Sequence, residues 1–169
     1  MSDLFHQEVP DDFIMQVFAV MNEASRHTFQ ILTKRPSRVA LMAYTLTWTP
    51  NIWMGTSIEN DSYVWRADKL RQVPAAVRFI SAEPLLGELT RLNLEGIHWL
   101  IAGAESGHGA RPMDEDWVRF LRDRCVDEGV AFFYKQNAQQ GPHRGRKIPT
   151  PELDGRIWTQ FPVPAQYLC

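Results

Sequence analysis

Two cysteines in 169 residues exclude a good deal of chemistry. Cys125 and Cys169 are far apart, with no Cys-x-x-Cys and no histidine at ligand spacing. An iron–sulfur cluster or a structural zinc takes three or four protein ligands, so this chain alone cannot furnish either. Cys125 falls on the apolar face of a helical segment and reads as a small core hydrophobe. His6, His27, His98, His108 and His143 likewise show no ligand pattern. No apolar run approaches the roughly 18 residues that span a bilayer. The first residues carry Asp3, Glu8, Asp11 and Asp12 rather than a basic flank and apolar core, unlike a signal peptide. Cytoplasmic location is the expectation, with no membrane partner. A formal net charge of −2 gives no basic field, so nucleic acid is not supported as a partner by charge.

What is present is enough apolar material for one core: 44% hydrophobic and 22% charged residues. Five short apolar runs each end abruptly in polar residues. They are Phe29–Leu32 before Thr33-Lys34-Arg35, Ile52–Met54 before Ser57-Ile58-Glu59-Asn60, and Val77–Ile80 before Ser81-Ala82-Glu83-Pro84. Trp99–Ala102 then precedes Gly103-Ala104-Glu105-Ser106-Gly107, and Val130–Tyr134 precedes Lys135-Gln136-Asn137. Continuous apolar runs of this length read as strands buried on both faces of a parallel sheet. Their starts lie about 20 to 30 residues apart, near the spacing of βα units.

The segments between them read as helices. Pro10–Ser25 places Phe13, Val17, Val20, Met21 and Ala24 on one face, behind Asp11 and Asp12 at its N-terminal end. Asp114–Glu128 is capped by Asp114, carries Trp117, Val118, Leu121 and Cys125 as its stripe, and stops at Gly129. Ser62–Gln72 is a third helix, with Val64, Trp65, Ala67, Asp68 and Leu70; Pro36–Ala43 is a short one; Glu88–Gly96 reads as loop. Arg119, Arg122, Asp123 and Asp127 read as a mixed-sign solvated face. The chain therefore divides into a partial βα barrel over residues 1–138 and a Gly/Pro/Arg-rich surface extension over 139–169, with a small hairpin around Leu153-Asp154-Gly155-Arg156. The expected fold is α/β, about five βα units forming either a partial barrel or an open parallel sheet. A barrel of eight units takes about 250 residues, so an opening in the sheet is expected, to be covered by a second copy or another protein.

Polar groups just past the C-terminal ends of parallel strands are where α/β folds place their sites. Glu59, Glu83 and Glu105, on three such ends, would converge on one cleft, as acid–base groups or ligand acceptors, with Lys135 as a further catalytic candidate. The alternative is that each acid caps a helix or pairs with Lys34, Arg35 or Lys135. Lys34 and Arg35 with Lys135 and Gln136 would form an anion or substrate clamp. Gly103 can bring backbone close to a ligand.

Six ordered motifs carry a family resemblance: Ser2-Asp3-Leu4-Phe5-His6, Leu32-Thr33-Lys34-Arg35-Pro36, Asn51 to Asn60, Arg78 to Gly87, Ile101 to Gly107 with Ala110-Arg111-Pro112-Met113, and Phe132-Phe133-Tyr134-Lys135-Gln136. Over residues 2 to 162 the chain resembles a phage-associated, radical-SAM-like family of unknown function. The resemblance implies a truncated relative of a barrel that binds S-adenosylmethionine and a [4Fe–4S] cluster, with Ser57, Glu59, Gly103 and Glu105 lining the nucleoside cleft. The family's Cys-x3-Cys-x2-Cys segment is absent here, and it departs again at Ala104 and Asn137. No cofactor is therefore expected in this chain. Three readings follow: a protein without catalysis of its own that binds a partner, as a phage-encoded, anti-CRISPR-like inhibitor of host defence would; one half of a split enzyme acting on a nucleotide or nucleic acid; or part of a longer enzyme.

Overall fold

The computed structural model describes residues 3–137 and 151–163. Five parallel strands stand in strict chain order: β1 (Phe29–Thr33), β2 (Ile52–Ser57), β3 (Val77–Ala82), β4 (Trp99–Gly103) and β5 (Ala131–Gln136). Parallel neighbours need crossovers. These are supplied by α2 (Pro36–Met42), α3 (Trp65–Leu70) after a 3-10 turn at Asp61–Tyr63, an irregular loop between β3 and β4, and α4 (Glu115–Asp127); α1 (Asp11–Glu23) precedes β1. The segment Glu88–Gly96 is loop, as its composition predicts. No helix among the described residues is long and apolar enough to cross a membrane.

Strand alternation sorts the core into two. Ile52, Met54, Ile80, Ala82, Leu100, Ala102, Phe132 and Tyr134 point to one face, against residues of all four helices. Trp53, Val77, Phe79 and Trp99 form a separate buried cluster on the opposite face, to which none of the helices contributes. Gly55 belongs there because the Phe79 ring lies over it, 2.3 Å from where a Cβ would stand. Among the described residues the helices thus cover one side of the sheet only.

Two stripes differ from those expected. On α1 the buried residues are Ile14, Phe18 and Met21, while Phe13 is 51% and Val20 63% exposed. Ile14, Phe18 and Met21 satisfy the helical period equally well, and Phe18 wins by packing edge-on against Phe5 and Trp48. On α3 Arg66, Ala67 and Leu70 are buried and Trp65 is half-exposed. The stripe of α4, Val118, Leu121 and Cys125, is as predicted, and Asp114 accepts from Asp116 N at 2.9 Å as its cap.

The described part of the C-terminal extension, residues 151–163, is no loose surface segment; residues 139–150 and 164–169 lie outside the described residues. β6 (Glu152–Leu153) and β7 (Arg156–Ile157) form an antiparallel hairpin around Asp154 and Gly155. Both turn residues have positive φ, 53° and 73°, which Asp tolerates and Gly favours. Arg119 and Arg122 of α4 hold Asp154 at 2.9 Å each, so these arginines latch the hairpin and are not merely solvated. The chain then runs along β5: Tyr134 N donates to Trp158 O at 2.8 Å and Gln160 N to Phe132 O at 3.0 Å. Leu153 and Trp158 enter the main core, and Phe161 lies 4.9 Å from the Trp99 ring on the helix-free face. The outer edge of β5 is closed. Among the described residues nothing pairs with the outer edge of β1.

Candidate functional site

Because the five strands are parallel and in register, Thr33, Ser57, Ser81 and Gly103 bring the segments that follow them to one rim. Each carboxylate expected there is present, and each is already engaged. Glu59 is buried; its Oε1 lies 2.5 Å from Lys34 Nζ and its Oε2 3.0 Å from an Arg66 nitrogen. The same Arg66 nitrogen donates to Ser57 O at 2.7 Å, and the guanidinium sits 4.2 Å above the Tyr63 ring. Glu83 accepts from Ser81 Oγ at 3.1 Å and pairs with Lys135 Nζ at 3.0 Å. Its carboxylate fills the space over Gly103, where a Cβ would come within 2.8 Å of it. A β-bulge between Ala102 and Gly103 sets Gly103 opposite Gln136, whose side chain donates to Ala104 O at 2.6 Å. The Glu83–Pro84 peptide is cis.

Glu105 turns to its own loop, where Arg111 donates to it from Nε at 2.8 Å, Nη2 at 3.0 Å and its backbone N–H at 3.0 Å. Those hydrogen bonds hold its carboxyl down to about 2. The three acids therefore share a rim without forming one free carboxylate cluster, and pairing accounts for each. The clamp divides in the same way: Arg35 serves Asp3 at 3.0 Å, Lys135 serves Glu83, Gln136 serves a backbone carbonyl, and Lys34 serves Glu59.

Three residues missed in the sequence complete the rim. Asp3 gathers Thr33 Oγ1 at 2.7 Å, the N–H groups of Phe5 and Lys34, and Arg35. Burial pushes its carboxyl up, but these hydrogen bonds outweigh burial and hold it below the ordinary value. Asp3 lies inside the first of the ordered motifs, which was signal enough to single it out. Arg66 occupies a helix position that pattern alone assigns to an apolar residue. Arg111 is readable only once its loop folds back.

A cluster of the kind implied for radical-SAM proteins needs three or four thiolates. Among the described residues the cysteine is Cys125, buried in α4, with burial pushing its thiol up to about 12. No group of three or more His, Cys, Asp or Glu that could hold a metal ion occurs among the described residues. These residues do not fit such a cluster. For a nucleoside, Ser57 and Gly103 stand on the helix-free side of the rim, but Glu59 and Glu105 are each already held by arginine.

The chain matches, over residues 1–162, the family described as a protein of unknown function, DUF5131, and belongs to it. No curated protein and no solved structure matches it.

Proposed function

We propose that the chain is a binding module, built on part of a radical-SAM-type (β/α) barrel, that works by adding another polypeptide's strand to β1. Support for the barrel reading comes from sequential strand order with helices on one side, an order without the reversal of doubly wound sheets. Catalysis by these residues alone is not part of the reading, since each rim acid is paired and, among the described residues, no thiolate set stands beside it.

The single observation that carries the proposal is the character of β1. An edge strand presents unpaired N–H and C=O groups, and proteins ordinarily blunt such edges with lysine, proline or a bulge. Phe29-Gln30-Ile31-Leu32-Thr33 has none of these, and its register with β2 runs without irregularity. Gln30 is exposed, and Leu32 is 41% exposed on the helix-free side. Strand addition to such an edge draws affinity from main-chain hydrogen bonds and specificity from alternate side chains. Light scattering and native mass spectrometry of the purified chain should show a stable assembly, with a second copy or a co-purifying polypeptide. Gln30→Pro should dissociate it without changing the circular dichroism. A monodisperse monomer at micromolar concentration with no companion chain would contradict the proposal.

A further inference from the structure

The ion pairs of the rim are matched one to one except at a single place. Asp3 has Arg35, Glu83 has Lys135, and Glu105 has Arg111. Glu59 has two cations, Lys34 and Arg66, one on each oxygen. Glu59 and Arg66 are both withdrawn from water, with side chains 7% and 10% exposed, whereas Lys34 remains 56% exposed. Arg66 Nε is buried without a hydrogen-bond partner. Arg111, on the loop after β4, lies within Coulombic reach of the same carboxylate. A chain of net charge −2 thus concentrates one uncompensated positive charge at the end of β2, its exposed carrier being Lys34.

Aromatic rings flank that charge. The Arg66 guanidinium lies 4.2 Å from the centre of the Tyr63 ring and 5.9 Å from that of Trp65. Both rings are partly open, Tyr63 at 38% and Trp65 at 45% exposure. A large aromatic surface left exposed beside a desolvated cation suits a ligand that is planar at one end and anionic at the other. Guanidinium and ammonium groups take phosphoryl oxygens by charge-assisted hydrogen bonds, and nucleobases stack on tryptophan and tyrosine.

We propose that the Lys34–Glu59–Arg66 node is a phosphoryl site and that Tyr63 and Trp65 form its adjoining base platform, so that the ligand class is a nucleoside monophosphate. Glu59 keeps the two cations apart and oriented. The phosphoryl group supplies the negative charge that balances the second of them. Lys34 follows the last residue of β1, but the site is built from side chains at the strand ends and does not depend on a strand docking along that edge.

Isothermal titration with inorganic phosphate, adenosine and adenosine monophosphate tests it. Lys34 and Trp65 are exposed enough to change without loss of the fold, which circular dichroism would verify. The monophosphate should bind about tenfold more tightly than inorganic phosphate. Lys34→Met should weaken both about tenfold. Trp65→Ala should bring the monophosphate to the level of inorganic phosphate and leave the latter unchanged. Gln30→Pro, at the β1 edge and introducing no charge, should change neither, so failure of this site and failure of strand docking are distinguishable. The absence of saturable binding by any of the three up to about 10 mM, beyond the millimolar range of weak specific ligands, would overturn the site. So would binding unaffected by Lys34→Met. Adenosine binding as well as its monophosphate would overturn the phosphoryl assignment, and inorganic phosphate binding as well as the monophosphate would overturn the platform.

Discussion

The two edges of the sheet have opposite treatments. Beyond β5 the chain returns as a hairpin and lays a further segment along the strand, pinned by Asp154 on Arg119 and Arg122 and by Trp158 in the core. Trp158 also has Arg156 at 4.1 Å and Arg122 at 5.5 Å over its ring, and Phe132 at 6.1 Å. Beyond β1, among the described residues, the sheet stops at a strand with no charge, no proline and no bulge. Among the described residues one edge is closed by a whole segment and the other is left unpaired. On the proposed reading, a partner that extends this sheet joins at β1.

Replacing Trp158 should have the largest effect, because it turns the covered edge into an open one. Trp158→Ala removes a buried aromatic ring and should cost about 3–5 kcal/mol in denaturant unfolding, with association through β5 as a secondary effect. Wild-type stability would mean that the segment along β5 is not a structural closure. Asp3 comes next, since it fixes the end of β1. Asp3→Ala leaves Thr33, Arg35 and two backbone N–H groups short of an acceptor and should cost about 1–3 kcal/mol. Because the folded pKa of Asp3 lies below its unfolded value, its contribution is present above the unfolded pKa near 3.8 and is lost as pH falls through the lower folded value. Denaturation midpoints measured from neutral pH downward should therefore converge for wild type and Asp3→Asn at the acid end. Parallel curves would show that the carboxylate charge is not what Asp3 contributes.

Asp154 should matter less. Side-chain hydrogen bonds from Arg119 and then Arg122 hold its carboxyl below the ordinary value, but the latch is solvent-exposed and screened. Asp154→Asn should give a small, salt-sensitive fall in midpoint that is fully present above the unfolded value near 3.8 and fades as pH falls through the lower folded value. A loss that persists in molar salt would point to packing rather than charge. The smallest change in stability belongs to Leu32→Lys, within about 0.5 kcal/mol of wild type because the side chain is exposed. It should nevertheless abolish assembly, separating the working edge from the structural one. Stability loss without loss of assembly would reverse that assignment.

Much of the frame was legible before the structure. Five apolar runs became five parallel strands in chain order because the runs are too short for helices; burial on both faces, expected of all five, fails at β1, where Gln30 and Leu32 are exposed. The stripe of α4 was legible because its polar residues leave one apolar face. On α1 apolar residues lie nearly all round, so periodicity could not decide between the Phe13 side and the Ile14 side, and only the contacts of Phe18 did. The rim residues were legible as residues but not as partners. Glu59, Glu83 and Glu105 follow their strands at similar offsets, yet one is buried between two cations, one lies over a glycine, and one folds back on its own loop. Those outcomes depend on Arg66, Gly103 and Arg111, whose positions follow from tertiary packing. The latch of Asp154 on α4 was hidden for the same reason: it joins residues more than 30 apart whose charges, read locally, look like ordinary solvated surface.

The direct test of the directional sheet is photo-crosslinking from the strand itself. A crosslinking residue at Gln30 should trap one discrete adduct, either a second copy or a single partner polypeptide, while the same residue at Asp127 on α4 traps none. The Gln30 adduct should disappear with Leu32→Lys. No adduct from Gln30, or the same adducts from both positions, would show that β1 is not the edge through which this protein acts.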